Sequence, residues 1–329
     1  MNVDTLQAAG VHIVQHKQQL SWRFRTLYFL SRLRLLFVKP SADNGNDMAW
    51  VAKARSEEER WAQHFKPTAP IESKQITLTN GRRAEWITYP EIEMGTASSP
   101  AILYMHGGGF TSGSIITHRA LCGSIVHAAH IRALLVEYRL APEHPFPAAL
   151  DDTVAAYRWL LESGIKPNDI VFVGDSSGAA LLLSALVTLR DDGMPLPAAT
   201  VCLSAITDLA CNSETWDTHA KYEVVTNAPS ARRSVKMYLN GTDPHTPLAS
   251  PLYANLVGLP PIFLQFGSRE VLQSDAIRFA EKAREAGVDV TLDIWHGAIH
   301  SWQLPAKLLP ESRTAIEKIG EFIQAHVGK

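Results

Sequence analysis

From residue 71 onward, hydrophobic and polar positions follow two alternating patterns. Short, almost uninterrupted apolar runs take turns with longer stretches in which apolar residues recur at helical spacing. The apolar runs are residues 101–105, 133–138, 170–173, 200–203, 261–266 and 288–294, and the helical stretches are residues 148–163, 177–190, 273–286 and 311–326. Uninterrupted apolar runs suit strands that are covered on both faces. The pattern therefore predicts an α/β fold with a mostly parallel, doubly wound sheet.

A hairpin is predicted just before this region. Residues 76–78 and 84–89 alternate or run apolar, and Asn80-Gly81 between them supplies the positive φ angles of a tight turn. The two strands are therefore expected to pair with each other.

The first 70 residues differ from the rest of the chain in their hydrophobic pattern and in their charge. Apolar residues recur at roughly helical spacing, at Leu27, Leu30, Leu33 and Phe37. No Asp or Glu occurs between Thr5 and Ala42, so this segment is basic. A further helix is predicted over residues 49–65, with an exposed charged run at 56–60. We therefore expect a helical segment over residues 1–70, followed by a main α/β domain over residues 71–329.

A second helical piece is expected inside the main domain. Residues 209–246 contain no strand pattern and form a stretch longer than a usual connection between elements. They are therefore predicted to be a helical insertion.

Composition and charge limit which partners and which cellular compartment can be expected for the protein. The apolar share of 46% is that of a globular protein, and a formal net charge of −2 gives no overall field to attract nucleic acid. Residues 22–38 are apolar but carry four arginines, so no transmembrane helix is predicted. The three cysteines form neither a paired pattern nor a metal-ligand spacing. Together with the lack of a secretory signal pattern, this predicts a cytoplasmic protein.

One motif predicts a catalytic serine. Gly174-x-Ser176-x-Gly178 lies between an apolar run and a helical stretch, the context of a nucleophile elbow. A serine on so sharp a turn needs glycines two residues to either side, because side chains there would collide with neighbouring elements. The helix that follows directs its free N–H groups towards negative charge on a substrate. The alternative interpretation is a plain tight turn.

A second motif predicts an oxyanion hole. His106-Gly-Gly-Gly-Phe110 follows the run at 101–105, and its consecutive glycines let backbone N–H groups approach a ligand closely. Alone, the motif also fits a flexible turn or a phosphate cradle, although the lysine and serine or threonine of a phosphate loop are missing. Paired with the elbow, it favours donation to an oxyanion together with the N–H of Ser177.

The chain is similar to the hormone-sensitive-lipase-like esterases, bacterial family IV of the α/β-hydrolase superfamily. The resemblance rests on His106–Phe110, on Gly174–Gly178, on the motif at residues 138–152 (YRLAPEHPFPAALDD) and on residues 250–261 (SPLYANLVGLPP). These motifs occur in the same order from about residue 71 to the end. The resemblance implies an α/β-hydrolase fold with a helical cap, formed by residues 1–70 and by the insertion at about residues 209–246. It also implies that the oxyanion hole is formed by Gly108, Gly109 and Ser177, and that His106 is structural.

The same resemblance points to the acid and the base. In this architecture the order along the chain is nucleophile, acid, histidine. Of the thirteen histidines, His296 and His300 lie directly after the last predicted strand, and the family pattern Gly-x-x-His matches His300. Glu270 stands where the family most often has aspartate, and Asp275 is the rival acid. We therefore expect a triad of Ser176, His300 and Glu270, with residues 138–152 bracing the glycine loop.

The expected activity is that of a serine carboxylesterase that needs neither a cofactor nor a metal. The resemblance implies small esters with short to medium acyl chains, and a homodimer that pairs through the last strand and helix. Two alternatives stay open. One is a binding protein on the same fold, although such proteins commonly lose a triad member. The other is an amidase or deacetylase, which the sequence does not distinguish from an esterase because pocket shape decides.

Overall fold

The computed structural model describes residues 10–37, 47–91 and 99–329, and of residues 34–37 the backbone only. The nine strands in these residues are β1 His12–His16, β2 Glu72–Thr77, β3 Arg83–Thr88, β4 Ala101–Met105, β5 Arg132–Val136, β6 Ile170–Asp175, β7 Ala199–Leu203, β8 Ile262–Gly267 and β9 Val290–Trp295. The helices are α1 Trp22–Phe37, α2 Asp47–Ala62, α3 Ile115–Ala129, α4 Ala148–Glu162, α5 Ser177–Asp191, α6 Thr215–Thr218, α7 Ala228–Leu239, α8 Gln273–Glu285 and α9 Pro310–His326.

All nine strands form one sheet in the order β1-β9-β8-β7-β6-β4-β5-β3-β2. The first seven strands in this order, from β1 at the end of the sheet to β5, run parallel to one another. Strand β3 is antiparallel to both of its neighbours, β5 and β2. The prediction of a mostly parallel doubly wound sheet is thus confirmed. The predicted hairpin is also present, because Thr77 pairs with Arg83 and Gly81 in the turn has a φ of 78°.

Side chains on the two faces of the sheet belong to two separate hydrophobic clusters. Along β4, Leu103 points into the cluster shared with α4, α5 and α8, whereas Ile102 and Tyr104 belong to the cluster shared with α3 and α9. Every residue of β4 is completely buried. This two-sided burial explains why the central strands lack polar alternation.

Strand β1 is the main departure from the predicted organisation. Residues 12–16 lie within the predicted helical cap segment, yet they pair in parallel with β9 and extend the main sheet. The His16 ring stacks on Trp295 at 4.0 Å, and its Nε2 lies 2.7 Å from Asp293 Oδ1. The strand is thus held by partners that are distant in sequence. Residues 1–9 and 38–46 of the predicted segment lie outside the described residues.

Helices are present both in the segment predicted to be a cap and in the predicted insertion. α1 and α2 come at the predicted positions, and α6 and α7 lie within residues 209–246. Across the described residues, no helix combines the length and the apolarity that a bilayer span requires.

Candidate active site

The loop between β6 and α5 places Ser176 in a strained conformation. Its φ of 50° and ψ of −118° are unusual for a residue with a side chain. Gly178 permits this turn, because a Cβ there would lie 2.1 Å from the carbonyl oxygen of Met105 at the end of β4. The serine hydroxyl is thereby held above the carboxyl ends of the central strands, where ligands bind in open α/β sheets.

His300 lies in the loop after β9, and its side chain reaches the hydroxyl of Ser176. Its Nε2 lies 3.1 Å from Ser176 Oγ, within hydrogen-bond distance although the two residues are 124 positions apart in the sequence. His296, the other histidine in the loop directly after β9, instead directs its Nε2 to Gln15 Oε1 at 3.1 Å. Of the two, it is His300 whose ring nitrogen contacts the serine.

Glu270 is brought behind His300 by the loop after β8. Its Oε2 lies 3.5 Å from His300 Nδ1, the separation of an ion pair, and neither atom has a hydrogen-bond partner among the described residues. Its Oε1 accepts hydrogen bonds from Ser204 Oγ and from the amide of Gly267, both at 2.7 Å. Burial opposes protonation of His300, but nearby carboxylates, with Glu270 the strongest, outweigh it and raise the pKa of the imidazole.

The rival carboxylate has a different environment. Asp275 lies in the first turn of α8, and its Oδ2 accepts hydrogen bonds from the amides of Thr207 and Asp208, both at 3.0 Å. Burial and the nearby Asp208 raise the pKa of Asp275 to about 7. Its carboxylate thus contacts the loop after β7, whereas that of Glu270 contacts the imidazole.

The glycine loop after β4 supplies backbone donors near the serine. Gly108 has a φ of 119°, and a Cβ there would lie 2.2 Å from the carbonyl oxygen of Ser112, so only glycine fits. Within the described ranges, the amides of Gly108, Gly109 and Ser177 have no hydrogen-bond acceptor. Ser177 is the first residue of α5, where helical N–H groups have no partner in their own helix. These amides are therefore free to donate to a bound oxyanion.

A buried polar network behind the loop fixes its position. Asp175 accepts hydrogen bonds from the amide of Gly107 at 3.1 Å and from Tyr104 Oη at 2.9 Å, and its Oδ2 lies 3.1 Å from His118 Nε2. Burial works against ionisation of Asp175, yet His118 lowers its pKa below the usual range. Asp175 therefore ties the elbow to the glycine loop.

His106 has no part in proton transfer on this geometry. Its Nδ1 lies 2.8 Å from the carbonyl oxygen of Gly107, and its ring stacks on Tyr138 at 4.2 Å. Burial and His118 lower the pKa of His106 to about 3, so the imidazole is neutral near pH 7. Tyr138 Oη also donates to the His106 carbonyl oxygen at 2.8 Å. The first histidine of the glycine motif is thus a buried structural residue.

Helix α2 also holds the glycine loop. Glu58, which lies in the run predicted to be exposed, accepts from Ser112 Oγ at 2.8 Å and from the Gly113 amide at 3.0 Å. Arg55 donates to the carbonyl oxygen of Thr111 and binds Glu143 through two hydrogen bonds. The prediction of an exposed run is therefore wrong at Glu58. Helical periodicity alone could not reveal it, because the partners of Glu58 are backbone and hydroxyl groups more than fifty residues away.

The insertion contributes a carboxylate that the sequence analysis did not single out. Glu223 is 8% exposed, and its Oε2 lies 3.3 Å from the backbone nitrogen of His300, which donates to it. Burial raises the pKa of Glu223, and His300 partly offsets this effect. Residues 219–225 have no regular pattern that would mark an acidic side chain as buried.

Comparisons with known proteins agree with this architecture. The sequence profile of the family described as alpha/beta hydrolase fold matches residues 102–304. An acetyl-hydrolase of Streptomyces hygroscopicus is 44% identical over 246 residues, covering 75% of this chain and 81% of the relative. An esterase of Acinetobacter venetianus is 36% identical over 259 residues, covering 78% and 84%.

Solved structures are similar over nearly the whole chain. A crystal structure of an esterase from the bacterial hormone-sensitive lipase family superposes with a TM-score of 0.86 at 40% identity, covering 94% of this chain and 100% of the other. A crystal structure of EstE5 soaked with p-nitrophenyl butyrate gives a TM-score of 0.84 at 40% identity, covering 93% and 98%.

Proposed function

The chain belongs to the α/β-hydrolase-fold family as a carboxylic ester hydrolase of the hormone-sensitive-lipase-like group, and on that premise we propose that it cleaves esters through an acyl-enzyme on Ser176. The observation that carries the proposal is the 3.1 Å approach of His300 Nε2 to Ser176 Oγ. A serine is a weak nucleophile until a base within hydrogen-bond reach accepts its proton.

The reaction has two stages. His300 accepts the Ser176 proton while Oγ forms a bond to the ester carbonyl carbon, and the carbonyl electron pair moves onto oxygen. The amides of Gly108, Gly109 and Ser177 donate to that oxyanion. When the tetrahedral intermediate collapses, the alcohol leaves with the proton that His300 returns to it. Water then repeats the sequence, with His300 again the base, and releases the acid and the free serine.

Glu270 has an orienting and electrostatic role in this scheme. Its carboxylate faces His300 Nδ1, so it favours the tautomer that leaves Nε2 free to accept the serine proton. The same negative charge stabilises the imidazolium that forms during each stage. The proposed steps use only side chains and backbone amides of the protein, together with water.

Helices α1 and α2 and the insertion at about 209–246 are proposed to form the cap over this site, with residues 71–329 as the catalytic domain. α7 supports this, because Phe110 of the glycine loop stacks on Tyr238 at 3.9 Å and Thr111 Oγ1 donates to Ser234 Oγ. One relative is named an acetyl-hydrolase, and crystals of EstE5 were soaked with p-nitrophenyl butyrate. Both acyl groups are short, which supports short acyl groups in the substrates of this protein too. From the sequence we also expect a cytoplasmic protein and a homodimer. Because β1 pairs with the free side of the last strand, β9, such a dimer cannot extend the sheet through β9 itself.

Mixing the protein rapidly with p-nitrophenyl butyrate tests the acyl-enzyme. We expect a burst of p-nitrophenolate equal to the enzyme concentration, and a butyryl mass increase on the peptide that contains Ser176. Ester turnover is expected to fall from butyrate to laurate, and the butyryl anilide is expected to react far more slowly. Acylation of another peptide would contradict the nucleophile assignment, and faster anilide cleavage would favour the amidase.

Glu270→Gln is expected to lower kcat/KM about 10²- to 10⁴-fold, because a neutral amide neither orients the imidazole correctly nor stabilises its charge. Asp275→Asn provides the matched control. It keeps an oxygen acceptor for the amides of Thr207 and Asp208, so its kcat/KM is expected to stay within about threefold of wild type. Initial rates on p-nitrophenyl butyrate measure both. A larger loss in Asp275→Asn than in Glu270→Gln would transfer the acid role to Asp275.

A further inference from the structure

A loop of the insertion, residues 219–225, lies against the two residues that complete the proposed triad. Glu223 Oε2 accepts a hydrogen bond from the backbone amide of His300 at 3.3 Å, and its Oε1 accepts from the amides of Val224 at 2.9 Å and Val225 at 3.0 Å. Three backbone donors therefore converge on one buried carboxylate. Such donors favour the ionised form of a carboxyl group.

The same loop contacts the acid. His219 Nδ1 lies 3.1 Å from the backbone carbonyl oxygen of Glu270. A carbonyl oxygen only accepts, so His219 must carry its proton on Nδ1. The backbones of Glu270 and His300, which follow different strands, are thus both bonded to side chains of this one loop.

Helix α1 holds the loop from the other side. Tyr28 Oη donates to the backbone carbonyl oxygen of Tyr222 at 2.8 Å, and Arg32 donates to that of Lys221. The Arg269 guanidinium, one residue before Glu270, lies over the Tyr222 ring at 5.2 Å. The loop is therefore fixed both to the cap helix and to the loop that carries Glu270.

Three carboxylates act on the His300 imidazole. Glu270 faces Nδ1, Glu223 lies at the backbone nitrogen, and Asp175 precedes the serine. Burial lowers the pKa of His300, and these three negative charges raise it beyond that loss. Glu270 lies in the loop after β8 and Asp175 is the last residue of β6, whereas Glu223 is supplied by the insertion.

We propose that Glu223 is a positioning residue, whose carboxylate fixes the backbone of His300 and adds a second negative charge beside the base. This inference rests on the proposed function, since it assigns Glu223 a role through His300. It means that the insertion takes part in holding the base, in addition to covering the site.

The test measures the His300 pKa directly, by NMR titration of histidine-labelled protein, with the resonance assigned by its loss in His300→Gln. In Glu223→Gln we expect the His300 pKa to fall by about 0.5 to 1 unit, because one stabilising charge is removed while an oxygen acceptor remains. The acid limb of kcat/KM for p-nitrophenyl butyrate is expected to move to lower pH by the same amount, since the free enzyme needs a neutral base.

Two further variants show whether the charge of Glu223 or the shape of its side chain determines the His300 pKa. Glu223→Asp keeps the charge on a shorter side chain, so its His300 pKa is expected to be closer to wild type than that of Glu223→Gln. Glu214→Gln removes an exposed carboxylate from the same insertion, and the His300 pKa is expected to stay unchanged. An unchanged His300 pKa in folded Glu223→Gln would overturn the proposal, as would equal shifts in Glu223→Gln and Glu214→Gln.

The NMR titration does not depend on catalytic turnover. The proposed ester mechanism and the proposed role of Glu223 can therefore be contradicted independently of each other. A wild-type protein that forms no acyl-enzyme contradicts the ester mechanism, while the His300 shift still decides the role of Glu223. Should Glu223→Gln not fold, the comparison of Glu223→Asp with wild type decides, because a shorter side chain withdraws the charge from the His300 amide. A lower pKa in Glu223→Asp supports the proposal, and an identical pKa overturns it.

Discussion

Ser176→Ala is expected to reduce kcat for p-nitrophenyl butyrate by about 10⁴- to 10⁶-fold, because no other group can form the acyl-enzyme. The residual rate comes from the oxyanion donors and from substrate binding, which the substitution leaves in place. Steady-state rates combined with the thermal unfolding midpoint measure the loss and show that the variant is folded.

Ser184→Ala is the matched control for this change. Ser184 is a buried serine in α5, the helix that begins directly after Ser176, so the same hydroxyl is removed from the same element. Its kcat is expected to stay within about twofold of wild type. Comparable turnover in Ser176→Ala and wild type would refute covalent catalysis at this serine, and would favour a binding protein if both values were negligible.

His300→Gln is expected to produce a loss of similar size, about 10⁴- to 10⁶-fold in kcat, because glutamine cannot accept the serine proton near pH 7. The burst of p-nitrophenolate should disappear along with steady-state turnover. Stopped-flow absorbance measures both quantities in one experiment.

His296→Gln tests whether the effect is specific to the histidine that contacts the serine. Its side chain bonds Gln15, and the glutamine in its place can still make a polar contact there. We expect kcat within about threefold of wild type. If His296→Gln lost activity while His300→Gln retained it, the base would have to be reassigned and the loop after β9 would have to move.

Much of the fold could be predicted from the sequence because the central strands are buried on both faces. Their apolar runs at 101–105 and 170–173 therefore stand out without any alignment, and the observed strands differ mainly at their ends. The proposed nucleophile and glycine loop were equally visible, since backbone geometry imposes glycine at defined positions such as Gly178. Steric requirements of this kind can be recognised from the residue types at neighbouring positions in the sequence.

The missed features depend on distant partners. Strand β1 has no local strand pattern, and it forms because His16 and its neighbours meet β9 nearly 280 residues later. Glu223 and Glu58 are charged residues, which single-sequence reasoning assigns to the surface. Each accepts a hydrogen bond from a backbone amide that is distant in sequence, that of His300 for Glu223 and that of Gly113 for Glu58, and nothing in their own segments records those two donors.

Pairing of β1 with β9 has a consequence for self-association. A strand at the border of a sheet offers unpaired backbone groups to any other chain, and proteins commonly cover such borders. β1 takes up the free side of β9, so a second molecule can lengthen this end of the sheet only through β1 itself. Loss of residues 12–16 would leave the outer backbone groups of β9 without their β1 partners, and the longer β9, which continues the central sheet, would then become the strand open to pairing with another chain.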